Sequence, residues 1–345
     1  MAPIDAQERN IPMSANKKEI ESKLHFRPDG TYRILMVSDI HAGRSFNRKI
    51  GDAMSAMVAH TDPDLVILGG DTASCGRIIH VENEEDLREI LDVVCKPMED
   101  AKIPWCHVFG NHDDNFGYST AEQEKVYESY PCCVSQAGPE DIDGQANYVV
   151  PILSSDLSRI AFNVWGLDSH RTTADLVRDC SLPEDTKIVM FNHLWNGSTW
   201  DMPHFNQVSW YFQTSLAMEK ANGGRKIPAL MVLHIPIPEM LLAFRNRRDC
   251  AVRGRCREGV NSGEFNSGLF AACVQRGDVK AMFFGHDHIN DCTATYCGIL
   301  MGYDAALTYD GYIDDDIRGA RVFELDENKP GVIQTHMVYT RDLNF

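Results

Sequence analysis

Three apolar runs near the start of the chain each end in a short polar cluster, and two amphipathic stretches separate them. The runs read YRILMVSD, LVILGGD and IPWCHVFGNHDD, and the stretches between them are NRKIGDAMSAMVAH and residues 84–101. Short apolar runs predict buried strands, and the periodicity of the longer stretches predicts helices. Alternating strands and helices indicate βαβ units and a mainly parallel sheet, with ligands at the carboxyl ends of its strands.

Further apolar segments predict an α/β protein with a second sheet. NYVVPIL, RIAFNVWGL and KIVMF, between residues 145 and 191, favour partly antiparallel strands. Beyond them we expect helices near 205–222 and 266–276. We also expect strands at PALMVLHIPIPE, VKAMFFGHDH, TATYCGILMGY and RGARVFEL.

The length of the chain and its polar N-terminus predict the domain organisation. A chain of 345 residues can fold as one α/β domain. Residues 1–28 are polar and aperiodic, which is typical of a flexible arm. We therefore expect a single domain over residues 29–345, and we expect deletion of the arm to leave its function intact.

The net charge of −17 limits the kinds of partner that this chain can bind. A strongly acidic protein does not hold nucleic acid or an anionic membrane by its general surface, so we expect neither as a partner. An anionic substrate must then be bound at a local positive centre.

The sequence predicts a soluble, cytoplasmic protein with free thiols. The N-terminus has no apolar signal segment, and no later run reaches the length of a membrane span. Eleven cysteines without C-x-x-C pairs are typical of a reducing compartment. Cys250 and Cys256 are close enough in sequence to pair under oxidation, which is a weaker alternative.

Eight polar residues that follow the predicted strands are candidates for a metal centre. They are Asp39, His41, Asp71, Asn111, His112, His234, His286 and His288. Side chains at i and i+2 of an extended segment leave on the same side, so the two histidines of GHDH can reach one site. Carboxylate, amide and imidazole ligands without thiolate suit borderline and hard divalent ions, and the set is large enough for two.

The order and spacing of these motifs resemble a known superfamily. D-x-H, G-D, G-N-H-D, an isolated histidine and G-H-D-H, between about Tyr32 and Leu325, look like the calcineurin-like metallophosphoesterases. The segments QANYVVP, GLDS, HIPIPE and VNSG resemble the purple acid phosphatase-like branch, which includes yeast cell-cycle regulator-type phosphatases and their plant relatives. The resemblance implies a metallophosphoesterase-type β-sandwich of two mixed sheets flanked by helices, with the active site at strand carboxyl ends.

The resemblance also implies a role for each candidate residue. It implies two divalent ions, of manganese, iron or zinc, and a nucleophilic hydroxide held between them. The first ion would be bound by Asp39, His41 and His288, the second by Asn111, His234 and His286, and both by a bridging Asp71. His112 would be catalytic, stabilising charge on phosphorus or protonating the leaving oxygen.

Two positions depart from the pattern of the purple enzymes. Ser74 stands where those enzymes have the tyrosine that gives their colour, and His41 stands where they have glycine. We therefore expect neither a purple colour nor an obligatory iron(III). Other members have an aspartate at the Ser74 position that orients the catalytic histidine; here Asp113 and Asp114 are the candidates for that task.

The leading functional hypothesis is hydrolysis of phosphate monoesters, on a phosphorylated small molecule or a phosphoprotein. One alternative is a phosphodiesterase acting on cyclic nucleotides or other small diesters, and another is a catalytically silent module that holds metal. The six arginines between Arg245 and Arg257 either form a solvated loop or overhang the metals and bind an anionic substrate. Their number favours the more highly charged monoester.

Two further groups are weaker candidates for the site. His193 also ends a predicted strand, which makes it the exception among the histidines outside the motifs. Trp195, Trp200, Trp210 and Tyr211 lie in a region expected near the site, where core packing is the simpler role and a substrate platform the alternative.

Overall fold

Two mixed β-sheets and the helices around them form the described part of the computed structural model, residues 15–43, 47–73, 81–114, 117–173, 199–309 and 311–345. The first sheet has the strand order β11-β10-β1-β2-β3. Its strands are β1 (Thr31–Val37), β2 (Leu65–Leu68), β3 (Trp105–His107), β10 (Gly319–Asp326) and β11 (Ile333–Tyr339). The first three are parallel, whereas β10 runs antiparallel to both of its neighbours.

The second sheet has the order β4-β5-β6-β7-β9-β8. Its strands are β4 (Tyr148–Leu153), β5 (Ile160–Gly166), β6 (Ala229–Val232), β7 (Val279–Phe284), β8 (Thr293–Tyr296) and β9 (Ile299–Tyr303). Strands β5, β6, β7 and β9 are parallel, and β4 and β8 are antiparallel to the strands beside them. The prediction of two mixed sheets flanked by helices is confirmed. The predicted strand KIVMF and His193 lie outside the described residues.

The helices lie mainly between strands, as the alternating pattern predicts. They are α1 (Ala15–Glu21), α2 (Asn47–Thr61), α3 (Glu84–Val94), α4 (Lys96–Ala101), α5 (Thr120–Ser129), α6 (Phe205–Ala221), α7 (Pro238–Arg245) and α8 (Leu269–Arg276). The single helix predicted over 84–101 is two helices, because Pro97 has no N–H to continue α3 and instead occupies the start of α4. No helix in these described ranges is long and apolar enough to cross a membrane.

The main hydrophobic core lies between the two sheets. It contains Ile34 and Val66 from the first sheet and Leu230 and Phe283 from the second, all fully buried. The ring of Phe283 packs edge-on against Phe323 at a centroid distance of 4.7 Å. A second cluster packs helices α6 to α8 against the other face of the six-stranded sheet. Because both faces of the six-stranded sheet are buried, the ends of its strands have fixed positions relative to one another.

The described part of the predicted N-terminal arm is packed rather than flexible. Helix α1 and the residues after it bury Ile20, Leu24 and Phe26 in the main core. The backbone N–H of Phe26 also donates to the carbonyl of Leu153 in β4. Polar and charged residues separate these apolar residues, so the sequence shows no apolar run that would predict a buried segment. The packed region therefore begins before residue 29, while the division of the chain into arm and domain remains a prediction for residues 1–14.

We expect Phe26→Ala to lower the free energy of unfolding by about 3 kcal/mol, because it removes a buried aromatic ring and leaves a cavity. Urea unfolding of the two proteins measures this difference. Ser22→Ala is the matched control, since Ser22 lies in the same segment but is exposed. Equal stability of the Phe26 variant and the control would show that the N-terminal segment does not contribute to the core.

Candidate metal centre

The eight predicted site residues lie together where carboxyl ends of strands from both sheets meet. Asp39 follows β1, Asp71 follows β2, and Asn111 follows β3. His234 follows β6, and the GHDH turn follows β7. Because parallel strands within a sheet end at the same edge, the two sheets bring residues that are far apart in sequence to one place.

Four of the site residues have an unusual backbone conformation. The φ angles of Asp39, His41, Asp71 and His286 are 48°, 45°, 50° and 71°. Non-glycine residues in this left-handed region are uncommon, and each costs on the order of 1 kcal/mol or more. Backbone hydrogen bonds fix two of them, from Asp39 N to the Gly70 carbonyl and from His41 N to the Asp71 carbonyl. The turns direct these side chains into one cluster.

Gly285 allows the second sheet to approach the first at this point. A Cβ atom built on Gly285 would lie 2.6 Å from Asp39 Oδ2 and 3.0 Å from His234 Nδ1. No side chain fits there, so glycine is required before the GHDH turn.

Asp39, His41 and His288 form the first group of possible ligands. One ligand atom of each lies within 4.8 Å of the others. His41 Nε2 and His288 Nε2 are 3.1 Å apart, and Asp39 Oδ1 is 3.3 Å from His288 Nε2. Three buried or nearly buried donors that converge in this way can hold one divalent ion.

The second group surrounds Asn111, and Asp71 lies near one histidine of each group. Asp39, Asp71 and His234 also have ligand atoms within 4.8 Å of one another, so Asp39 belongs to both clusters of possible ligands. Asn111 Oδ1 is 2.7 Å from His286 Nδ1 and 3.2 Å from His234 Nε2. Asp71 Oδ2 is 3.3 Å from His234 Nε2 and 3.6 Å from His41 Nε2. Asp71 therefore lies between the two groups, where a ligand common to two ions would be.

Hydrogen bonds on the far side of two rings support cation binding. His288 Nδ1 lies 2.9 Å from the carbonyl of Tyr312, and His234 Nδ1 lies 2.9 Å from the carbonyl of Gly69. A carbonyl only accepts, so each Nδ1 carries a proton, and each ring in its neutral form would present the lone pair of Nε2 to the centre. Asp39 Oδ1 is buried and accepts no hydrogen bond from the described residues. Facing lone pairs of this kind fit a metal ion.

Burial and neighbouring charge act in opposite directions on the ionisable groups here. Burial lowers the pKa of His41 to about 4 and that of His286 to about 3, so both rings are neutral at pH 7, as metal ligands must be. Burial also opposes a charge on His234, but the carboxylates of Asp71 and Asp39 outweigh it and raise the pKa of His234 to about 10. The same carboxylates would attract a divalent cation in place of that proton.

His112 is exposed on the loop between β3 and α5. Its backbone N–H donates to Asp71 Oδ1 at 2.8 Å, and its ring centroid is 5.6 Å from that of His41. The side chain is therefore next to the ligand cluster and accessible from outside. A catalytic group that contacts substrate needs this position.

The two candidates for orienting His112 have other partners. Asp113 is buried, and its carboxylate accepts backbone N–H groups from Asp71, Ala73 and Gly110. Burial and the nearby Asp71 carboxylate raise the pKa of Asp113 to about 7. Asp113 thus fixes the loop after β3 to the loop after β2. Asp114 is 3.1 Å from Arg171 and forms an ion pair with it.

Three contacts at the edge of the metal centre could hardly be predicted from the sequence. Trp200 packs edge-on against the ring of His286 at 4.6 Å, and Tyr312 stacks on His288 at 4.3 Å. Asp287, between the two histidines, accepts hydrogen bonds from the backbone and side chain of Asn261. These contacts fix the orientation of the imidazoles, and only Trp200 could be suspected from its position in the sequence.

The other aromatic candidates have different surroundings. Trp210 and Tyr211 pack against Trp165 in the second hydrophobic cluster. Trp195 and Ser74 lie outside the described residues.

The arginine-rich segment lies beside the GHDH loop but is largely exposed. Arg257 forms ion pairs with Asp314 and Asp316, and Arg255 donates to the carbonyl of Asp316. The acidic turn 314–316 is therefore a partner of these arginines. These contacts direct neither arginine into the metal centre.

A polar cavity of about 270 Å³ adjoins the loop that carries His112. Its lining includes Gly110, Asp114, Gln145, His170 and Arg171. Next to it, His204 lies 2.7 Å from an oxygen of the Asp143 carboxylate and stacks on His170 at 3.9 Å. The cavity offers charged and amide groups close to the candidate catalytic histidine.

His204 should make stability depend on pH. Burial opposes its charge, but the carboxylates of Asp201 and Asp143 outweigh burial and raise its pKa to about 9. Because this pKa is raised above the unfolded value, the stabilisation is fully present below pH 6.5 and is lost as pH rises through about 9. Between pH 6 and 10, the free energy of unfolding should fall by on the order of 1 kcal/mol more in the wild type than in His204→Gln. This figure is reduced for solvent screening, because Asp143 is half-exposed. Urea unfolding at both pH values measures this, and parallel pH profiles would contradict it.

Comparisons with known proteins agree with this geometry. Residues 32–290 match the calcineurin-like phosphoesterase family model. The chain is 29% identical over 321 residues to "Probable inactive purple acid phosphatase 14" of Arabidopsis thaliana, covering 84% of this chain and 74% of that protein. It is 24% identical over 300 residues to phosphatase DCR2 of Saccharomyces cerevisiae, covering 80% of this chain and 46% of that protein.

A solved structure shows the same fold. A dimetal phosphatase from Danio rerio superposes with a TM-score of 0.54 at 13% identity, covering 89% of this chain and 98% of that one. At this identity the likeness concerns the fold alone. The family match spans most of the chain and includes every ligand candidate from Asp39 to His288. The chain therefore belongs to the calcineurin-like phosphoesterase family.

Proposed function

We propose that this protein hydrolyses phosphate monoesters with two divalent metal ions. The observation that carries the proposal is the convergence of both ligand groups on Asp71, with the accessible ring of His112 beside them. Divalent ions held there would supply Lewis acidity towards phosphoryl oxygens and lower the pKa of water. The chain's own residues would hold the ions, orient the substrate and donate a proton to the leaving oxygen.

The ligand assignment divides the seven residues between two ions. Asp39, His41 and His288 would hold the first ion, Asn111, His234 and His286 would hold the second, and Asp71 would be a ligand common to both. The carbonyls of Gly69 and Tyr312 keep two of the rings in the required tautomer. This assignment is supported by the distances given above and by the donor set, which suits manganese, iron or zinc.

His112 acts on the substrate in this proposal. Its ring stabilises charge on the phosphoryl group or donates a proton to the leaving oxygen. The leaving group would extend past this ring into the cavity next to Arg171. The Arg171 guanidinium can form bidentate contacts with an anionic group of the substrate.

Monoesters are favoured over diesters because a cationic centre attracts the dianionic phosphate of a monoester more strongly than the monoanionic phosphate of a diester. The test is hydrolysis of an aryl phosphate monoester and the matching diester by metal-stripped protein reloaded with manganese, zinc or iron. Preferential hydrolysis of the monoester supports the proposal. Preference for the diester would replace it with a phosphodiesterase.

A catalytically silent, metal-holding role is the second candidate. It is favoured by one observation, the word "inactive" in the names of the plant relatives. Against it, all seven ligand positions of this chain carry side chains that can bind a metal ion, and the histidine of G-N-H-D is present. Metal binding without turnover of either ester would support the silent role.

A further inference from the structure

Four exposed arginines of the arginine-rich segment have no counter-charge within the part of the chain that the structure describes. They form the arginine patch, which consists of Arg245, Arg247, Arg248 and Arg253. None of the four pairs with a described carboxylate, whereas Arg257 pairs with Asp314 and Asp316. Between residues 245 and 257 the sequence has six arginines and a single acid, Asp249, although the net charge of the chain is −17. The patch is therefore a local positive surface on an acidic protein.

The backbone that carries the arginine patch is held in place by hydrogen bonds and by the core. The N–H of Val252 donates to the carbonyl of Arg247, and the N–H of Arg253 donates to the carbonyl of Thr293 in β8. Cys250, between these contacts, is buried in the second hydrophobic cluster. The bond from Val252 turns the chain back on itself and brings Arg253 close to the other arginines. A partner would meet an ordered backbone, which reduces the entropy lost on binding.

Two apolar side chains flank the arginines. The guanidinium of Arg247 lies over the ring of Phe244, 5.2 Å from its centroid. A guanidinium that stacks in this way keeps its N–H groups available for bidentate contact with a carboxylate. Leu242 lies one turn before Arg245 on the same face of α7 and is 43% exposed. The patch thus combines cationic donors with an exposed apolar side chain.

The other end of the same segment shows which ligand these arginines accept. The carboxylates of Asp314 and Asp316 pair with Arg257, and the carbonyl of Asp316 accepts a hydrogen bond from Arg255. A short acidic stretch of this chain therefore provides partners for two of the six arginines. The four arginines of the patch repel one another, and carboxylates from another molecule would remove that repulsion.

We propose that the arginine patch binds an acidic segment of a partner protein. Carboxylates of the segment accept hydrogen bonds from the guanidinium groups, and an apolar residue of the segment packs on Leu242. Because the Debye length at physiological ionic strength is about 8 Å, a short segment interacts mainly with the patch. Nucleic acid or an anionic membrane would extend over the acidic remainder of the surface and be repelled by it. Binding of the segment does not require turnover at the metal centre.

Fluorescence anisotropy of a labelled peptide of sequence EELEEE tests the proposal with the full-length protein. We expect saturable binding at low salt, at least about tenfold weaker binding at high salt, and no binding of the uncharged peptide QQLQQQ. Substitution of Arg245, Arg248 and Arg253 by glutamine should weaken binding of EELEEE at least about tenfold. No binding by the wild type, or equal binding by the wild type and this variant, would overturn the proposal.

The matched control for this variant removes three positive charges elsewhere on the surface. Lys125, Lys220 and Arg225 are exposed and lie outside the arginine-rich segment, so their replacement by glutamine should leave the affinity within about twofold of wild type. Equal losses in the two triple variants would show that net charge alone governs binding, which would also overturn the proposal.

Chemical modification locates the bound peptide. Phenylglyoxal reacts with accessible guanidinium groups, and mass spectrometry measures the extent of reaction at each arginine. Saturating EELEEE should slow the reaction at Arg245 and Arg248 several-fold and leave exposed Arg225 unchanged. Binding without protection of the patch would place the peptide elsewhere. Tighter binding of a single-stranded oligonucleotide of the same charge, or of phosphatidylserine vesicles, would also contradict an acidic protein segment as the partner.

Discussion

Asp71→Asn should weaken metal binding by at least roughly a hundredfold, because it alters a ligand common to both ions. Loss of a residue that only hydrogen-bonds to a ligand already weakens metal binding by up to about a hundredfold. The amide has the same shape, so packing around this buried position is preserved, but one negative charge is lost between His41 and His234. Turnover of an aryl phosphate should fall at least as far.

Metal content after dialysis, together with steady-state hydrolysis, measures the effect of this change. Asp62→Asn is the matched control, because it also removes one carboxylate but from an exposed ion pair with Arg27 far from the cluster. An Asp71 variant that retained two tightly bound ions and normal turnover would show that Asp71 is not shared between them.

His112→Ala is expected to lower kcat by roughly a hundredfold to ten-thousandfold, the usual contribution of a general acid or a charge-stabilising group. Metal content should not change, because in the proposed assignment His112 contacts substrate and is not a ligand. A pH profile of kcat in the wild type and the variant adds a second readout, since loss of a titrating group removes one limb of the profile.

The control for this variant is His60→Ala, which removes an exposed imidazole at the end of α2. If His112→Ala lost one ion along with turnover, His112 would be a ligand. Unchanged kcat would exclude a catalytic role for this histidine.

Much of the centre could be predicted because its residues follow buried strands directly. An apolar run that ends in S-D-I-H or G-H-D-H signals both the strand and the ligand, and the order of the motifs identifies the family. The turns that orient these residues also carry a local signal, since glycine precedes Asp71 and His286.

The remaining features depend on tertiary contacts. The carbonyls of Gly69 and Tyr312 select the tautomers of His234 and His288, but every residue has a carbonyl, so the sequence gives no sign of them. The sequence does not predict strand β11, because Gln334, Thr335 and His336 interrupt its apolar residues and only one of its seven positions is buried.

The most direct test of the account is a metal titration of stripped protein that follows hydrolysis of an aryl phosphate monoester at each step. The account predicts that two ions bind per chain and that turnover appears as the second site fills. Saturation with two ions but no hydrolysis of monoester or diester, or full activity with one ion, would contradict it.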